Sequence, residues 1–159
     1  MDEAPEIALS LPLGAARLTK AFLKGDPYTD KSIRSLRDHI EEKLEQILPS
    51  LAKHQESDRS IAASKTLRTL ARLTGDWFNG SGKNITAEAI RKLSAKLSEM
   101  DNAARAKLPG VSENRASQIV AGAFVAESVM RNLDITELEI CPWALREGVV
   151  LKWLDWMEA

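Results

Sequence analysis

From Ile119 to Met130 the residues are small or apolar nearly all round, Ile-Val-Ala-Gly-Ala-Phe-Val-Ala leading into Glu127, Ser128, Val129 and Met130. The run belongs to a helix read at about residues 113–132, with Ser112 as its cap. A helix without a polar face has to be covered on every side. It must be central and closely packed, and the rest of the chain has to supply the elements that close around it. A chain of 159 residues that is 44% hydrophobic can bury one such core, and its length favours one domain or part of a larger one.

The covering elements can be read from their periods. Leu18 and Phe22, four apart, fit a short helix over 15–24 that Gly25 ends, and Asp26-Pro27 marks a turn. Ile33, Leu36, Ile40, Leu44 and Ile47 recur at spacings of three and four, which predicts a helix over 30–48 stopped by Pro49. Leu67, Leu70, Ala71 and Leu73 form another, ending near Gly75, and residues 76–83, with Gly80-Ser81-Gly82, read as an exposed loop. Thr86 caps a helix with the stripe Ile90, Leu93, Leu97 and Met100, and Leu108-Pro109-Gly110 breaks the pattern. A terminal helix carries Leu145, Val149, Trp153 and Trp156 on one stripe. Strand-like stretches occur at 6–11, where Ile7, Leu9 and Leu11 alternate, at 59–63, and at 137–141, where Leu138 and Ile140 alternate. A strand so close to Met1 suggests that neighbouring strands precede it or come from elsewhere. Three strands among six or seven helices predict an α/β fold, a small sheet with helices packed on it and helix-rich overall.

Charge and special residues narrow the function. Twenty-two Lys+Arg against 23 Asp+Glu give a net charge of −1, so the overall balance advertises neither nucleic acid nor an anionic membrane. Any anion must be held locally. No apolar run approaches the ~20 residues of a membrane span, and Met1-Asp2-Glu3 is acidic where a signal peptide is basic. Cys141, the one cysteine, has no intramolecular disulfide partner, and two distant histidines complete no zinc set, so a reducing cytoplasm is expected and no metal site.

The candidates for chemistry sit at junctions. Ser64-Lys65-Thr66 lies between a strand and a helix, where unpaired N–H groups and a partial positive charge suit an anion, and Lys65 adds a point charge. The same residues also read as a plain helix cap beside a solvated lysine. Arg17 and Arg115 occupy first turns of helices, and Arg146 opens the terminal helix, positions that are electrostatically uphill for a cation without an anion nearby. Converging, the three could line a polyanion groove; scattered, they are ordinary surface charges. No general base or nucleophile is apparent: His39 and His54 read as solvated, Cys141 as a small buried residue, and Trp77, Trp143, Trp153 and Trp156 as packing for the core or for an absent partner surface.

Four ordered segments resemble the Ppx/GppA family of exopolyphosphatases and guanosine-pentaphosphate phosphatases, in its actinobacterial exopolyphosphatase-like branch. They are Leu9-Ser10-Leu11-Pro12-Leu13-Gly14-Ala15-Ala16-Arg17-Leu18-Thr19, Ala63-Ser64-Lys65-Thr66-Leu67-Arg68-Thr69-Leu70-Ala71-Arg72-Leu73, Leu108-Pro109-Gly110-Val111-Ser112-Glu113-Asn114-Arg115-Ala116 and Cys141-Pro142-Trp143-Ala144-Leu145-Arg146-Glu147-Gly148. The resemblance implies half of an actin-like, ribonuclease-H-like ATPase fold. It implies a parent enzyme that removes terminal phosphate from inorganic polyphosphate or converts pppGpp to ppGpp with Mg2+, and forms a homodimer. The family's catalytic glutamate and its first and Asp-x-Gly-Gly-Gly-Ser phosphate loops precede the matched segments. The expectation is therefore a second domain over residues 1–159 that lines the substrate cleft and is inactive alone. By position Ser64-Lys65-Thr66 resembles the family's Ser-Gly-Thr loop with lysine in place of glycine, so close backbone approach to phosphate is harder and a side-chain charge is gained. Arg115 resembles an arginine that contacts the distal part of an anionic substrate, within Arg115-Ala116-Ser117 where relatives have Arg-Ala-Asp, and Arg146-Glu147 sits in a Leu-Arg-Glu-Gly motif. The competing class is a non-catalytic interaction or dimerisation module that binds a partner protein.

Overall fold

The computed structural model describes residues 5–51, 59–143 and 145–158. Its order is α1 (Ala15–Phe22), α2 (Asp30–Glu45), α3 (Leu48–Leu51), β1 (Ile61–Ala62), α4 (Lys65–Phe78), β2 (Asn84–Thr86), α5 (Ala87–Glu99), α6 (Asn102–Ala106), α7 (Glu113–Ala116), α8 (Ile119–Asn132), β3 (Glu137–Ile140) and α9 (Leu145–Glu158). The strands form one mixed sheet in the order β1-β3-β2, with β1 parallel and β2 antiparallel to β3, so the α/β expectation holds.

Helix α8 is the centre. Ten of its residues are buried, and α1, α2, α4 and α5 pack around it. The stripes read from sequence are the surfaces that face it: Leu36, Ile40 and Leu44 from α2, Leu70 and Leu73 from α4, and Ile90, Leu93 and Leu97 from α5 are almost fully buried. At about 25 cal/mol per Å2 of apolar surface, burying each leucine or isoleucine contributes roughly 1.5–3 kcal/mol.

The starts of helices follow their caps. The Thr29, Ser64, Thr86 and Asp101 side chains accept hydrogen bonds from the N–H groups of Ser32, Leu67, Ala89 and Ala104. Several ends differ from expectation. Pro49 does not stop α2, which ends at Glu45 with Gln46 as its C-cap; instead Pro49 sits in the first turn of α3, where its missing N–H would have no helical partner anyway. Helix α4 runs through Gly75 to Phe78 and closes on Asn79 in the left-handed conformation (φ 57°). Gly75 serves close approach: a Cβ there would lie 3.0 Å from the backbone N and Cα of Gly82. Trp77 and Phe78 consequently belong to the helix and not to a loop.

The helix read as 113–132 is two helices separated by a turn at Ser117 and Gln118. The Ser117 carbonyl is taken up by tertiary donors, the Tyr28 hydroxyl at 2.7 Å and that of Thr19 at 3.4 Å, which satisfies a group the helix ladder leaves unpaired. Ser112 begins α7 without a side-chain cap; its carbonyl accepts from the Arg115 and Ala116 N–H groups. The strand expected at 6–11 does not form: the segment pairs with no strand among the described residues, and a single unpaired segment cannot satisfy a β ladder. Leu9 is left 47% exposed, while Leu11 and Leu13 pack on the core.

Two charged groups are buried within this frame. Glu127 of α8 accepts from the Ser94 hydroxyl and pairs with Arg37 at 3.3 Å. Arg105 of α6 is fully buried, its guanidinium 4.4 Å from the centre of the Tyr28 ring and 3.4 Å from Asp26 Oδ1. Burial raises the Tyr28 phenol above its ordinary pKa against the opposing pull of Arg105. In α9, Val149, Trp153 and Trp156 are exposed, as is Trp143 before it, so the terminal stripe faces away from this core.

Candidate functional site

At the C-terminal end of β1 the chain turns into α4, and Ser64 is extended (φ −155°) because it caps that helix. Its oxygen accepts from Leu67 N–H at 3.0 Å, so the cap reading of Ser64 holds. Lys65 is exposed in the first turn. Thr66 points the other way, against α8: a Cβ on Gly122 would stand 2.6 Å from Thr66 Cγ2, so only glycine lets the two helices approach this closely.

One turn along, the Thr69 hydroxyl lies 3.1 Å from the Lys65 carbonyl and 3.4 Å from that of Gly110, with one proton to share. Gly110, at φ +76°, lies so close to Arg72 that a Cβ would be 2.6 Å from Nη1. These contacts bring the loop before α7 onto α4. A shallow pocket of about 10 Å3 results, room for about one water, lined by Thr66, Thr69, Val111, Arg115, Gln118 and Ile119.

Thr66 and Arg115, distant in sequence, thus line one space. Arg115 is half-buried and forms no ion pair with a carboxylate among the described residues, and neither do Lys65, Arg68 and Arg72 along α4. Arg68 donates to the Pro142 carbonyl at 3.3 Å. Apart from Thr69, whose proton is already engaged, the polar lining combines the Thr66 hydroxyl, an amide and a guanidinium, groups that donate hydrogen bonds to phosphoryl oxygens.

The other expected residues lie elsewhere. Arg17 is exposed on α1 and does not line this pocket, so the proposed bases do not all converge there. Arg146 is on α9, with its side chain outside the described residues. His39 is not simply solvated: its ring stacks 4.5 Å from Phe22. His54 lies outside the described residues. Cys141 is half-buried and its N–H donates to the Ala62 carbonyl. Trp77 packs edge-on against Phe78, with Lys96 over its face at 3.9 Å.

On the other side of the α4 N-terminus lies an open groove of about 1050 Å3. Thr66 borders both spaces, and Ser64 belongs to the groove. Among the described residues no group of three or more His, Cys, Asp or Glu could hold a metal ion, and no helix is long and apolar enough to cross a membrane.

Sequence reasoning missed Thr69 and Gln118 in the pocket and the two buried charges. Glu127 carried a signal, as the one carboxylate inside an otherwise apolar run. Arg105 carried none, because its burial follows from the loop at Asp26 folding over α6.

Comparison with known proteins places these features in context. The Ppx/GppA phosphatase family pattern spans residues 1–157. Exopolyphosphatase 1 of Mycobacterium tuberculosis is 48% identical over 159 residues, covering 98% of this chain and 46% of that protein. A crystal structure of the Aquifex aeolicus Ppx/GppA family member superposes with a TM-score of 0.78 at 25% identity, over 95% of this chain and 49% of that one. An exopolyphosphatase from Cytophaga hutchinsonii shares the fold with a TM-score of 0.79 at 20% identity, over 92% and 49% of the two chains. The chain therefore spans about half the length of the relatives it matches.

Proposed function

The chain belongs to the Ppx/GppA phosphatase family, and from that premise we propose that it is the second domain of an exopolyphosphatase, one that holds the phosphate chain while the rest of the enzyme performs hydrolysis. The observation that carries this reading is the shared pocket of Thr66 and Arg115, at the N-terminus of the 14-residue helix α4. A polyanion lying across the mouth of this pocket would receive charge-assisted hydrogen bonds from Arg115, a hydroxyl contact from Thr66, and the favourable end of the helix dipole. Lys65, Arg68 and Arg72 supply further positive charge along the same helix.

Hydrolysis of a phosphoanhydride needs a water activated for attack on phosphorus and stabilisation of charge on the phosphoryl oxygens. The residues of this pocket offer the second and hold no carboxylate for the first. We assign the general base, a glutamate, to the remaining part of the enzyme, and expect the isolated chain to be inactive. A divalent cation, Mg2+ in our reading, serves the whole enzyme; the donor set of hydroxyl, amide and guanidinium here does not fit one, and no step is routed through it. Inorganic polyphosphate is the substrate we favour, with pppGpp offering the same phosphate chemistry. Arg17 and Arg146 enter as outer contacts, cytoplasmic residence and homodimerisation as properties of the parent enzyme.

Calorimetric titration with long-chain polyphosphate tests this. Arg115→Ala should weaken binding about tenfold, the effect of one charge-assisted hydrogen bond, with the melting temperature retained. Binding that is absent, or indifferent to Arg115, overturns the assignment in favour of a protein-interaction module, for which the exposed tryptophans of α9 speak.

A further inference from the structure

One fully buried cation takes no part in the pocket described above. Arg105 of α6 has no exposed surface, yet its polar contacts are loose for a charge removed from water. Its guanidinium lies 3.4 Å from Asp26 Oδ1 and 3.4 Å from the Leu97 carbonyl, and Nε has no hydrogen-bond partner among the described residues. Burying a guanidinium so sparsely paired costs stability. What the burial achieves is the placement of one ring. The guanidinium lies over the face of Tyr28 at 4.4 Å, and Asp26, two residues earlier, also accepts from the Asn102 N–H at 2.6 Å. The turn at 25–28 is thereby clamped to α6, and the Thr29 N–H closes it on the Lys24 carbonyl at 2.9 Å.

The clamped ring holds a further group in turn. The Tyr28 hydroxyl donates to the Ser117 carbonyl at 2.7 Å across 89 positions of sequence, and Thr19 adds a longer contact at 3.4 Å. Ser117 sits between α7 and α8, with Arg115 and Gln118, both pocket residues, on either side of it. Helix α7 is a single turn of four residues, and its N-cap Ser112 makes no side-chain hydrogen bond. So short a helix does not hold its own shape in water. The Arg115 guanidinium has no hydrogen bond or ion pair among the described residues, so its position follows from the backbone beneath it. Without the Tyr28 hydroxyl, the Ser117 carbonyl is free to recruit an unpaired N–H from the first turn of α8 and extend that helix backward through Gln118.

We propose that Tyr28 is a positioning residue for the anion site: Arg105 and Asp26 set its ring, its hydroxyl holds the Ser117 carbonyl, and the held turn presents Arg115 at the mouth of the pocket. Tyr28 does not itself line the pocket. The arrangement gives the buried charge of Arg105 a use, because a ring fixed from below aims its hydroxyl in one direction. This inference deepens the polyphosphate reading and rests on it, although part of its test needs no ligand.

Tyr28→Phe keeps the ring over Arg105 and removes only the donor. In the complete chain it should shift the nuclear magnetic resonance signal of the Arg115 Nε–Hε group, identified by its loss in Arg115→Ala, and leave that of Arg37, paired with Glu127, in place. Polyphosphate affinity, read by calorimetry, should fall roughly three- to tenfold, the range of one hydrogen bond. The same change made in the Arg115→Ala background should have no further effect. A residue that only stabilises the fold would lower Tm without this dependence on Arg115. An unmoved Arg115 signal, or a loss of affinity undiminished when Arg115 is already gone, overturns the proposal. Should Tyr28→Phe fail to fold, 3-fluorotyrosine labels Tyr28 alone, the one tyrosine of the chain. Its fluorine signal should then move with Arg115→Ala and stay with Lys65→Ala, and a signal that moves with both or with neither overturns the proposal. If the unaltered chain binds no polyphosphate, the polyphosphate reading fails, while the Arg115 signal still decides the role of Tyr28.

Discussion

Replacing Gly122 by alanine sets two opposed effects against each other at the contact between α8 and the candidate site. Within a helix, alanine is favoured over glycine by about 0.5–1 kcal/mol. The added Cβ, however, would stand 2.6 Å from Thr66 Cγ2 and 3.7 Å from Ala15 Cβ. Carbon atoms are comfortable at about 3.5–4.0 Å, so roughly an ångström must be found at Thr66, whose β-branched side chain is stiff at χ1. Overpacking of this kind costs about 1–3 kcal/mol, and the expected net result is destabilisation of about 1 kcal/mol, a fall in Tm of roughly 2–4 °C for a chain of this size. Urea unfolding of Gly122→Ala, Thr66→Ser and the double variant would measure it. Serine lacks the clashing methyl, so in the Thr66→Ser background the alanine should stabilise by about 0.5–1 kcal/mol, a coupling of about 1–2 kcal/mol between the two positions. If Gly122→Ala alone stabilises, or the two changes are additive, close approach is not why glycine stands there.

The buried carboxylate of Glu127 should respond more to the loss of its cation than to its own neutralisation: Arg37→Met costs on the order of 2–3 kcal/mol after allowance for the partly exposed guanidinium, and Glu127→Gln, which still accepts from Ser94, about 1 kcal/mol; the reverse order in urea unfolding would refute this. Glu41 loses solvation on folding, which raises its pKa, but hydrogen bonds from Asn132 and Ser128 and the Arg131 cation together hold it below the ordinary value. Its contribution is therefore present above the unfolded carboxylate pKa and lost as pH falls through the depressed folded value, and Glu41→Gln should flatten the acid limb of a Tm-against-pH curve, with an unchanged limb as the refuting result.

The helices were legible where their stripes face one partner. Leu36, Ile40 and Leu44, and Ile90, Leu93 and Leu97, repeat at three and four because their faces turn toward α8, and Ser64 and Thr86 announced the starts of α4 and α5. Other features are set by contacts distant in sequence. The break at Ser117 depends on a hydroxyl from Tyr28, and the passage of α4 through Gly75 depends on the return of Gly82. The 6–11 segment alternates as a strand would but pairs with no strand among the described residues, since pairing is a property of the neighbour as well as of the segment. At the candidate site Ser64, Thr66 and Arg115 could be singled out individually. That Thr66 and Arg115 share a pocket while Arg17 stands apart became visible only once the loop at Gly110 was seen lying on α4.

The central position of α8 also bears on how the chain is made. Helices α1, α2, α4 and α5 all precede it in sequence. At ~5–20 residues per second, the roughly 100 residues from the start of α1 to the start of α8 take about 5–20 s to synthesise. Throughout that interval the leucine and isoleucine stripes of four helices emerge from the ribosome without the surface they are shaped to cover. Native-like collapse must wait until α8 itself has been synthesised, so the nascent chain passes through a long stage in which its interior is open to chaperones, proteases and other nascent chains.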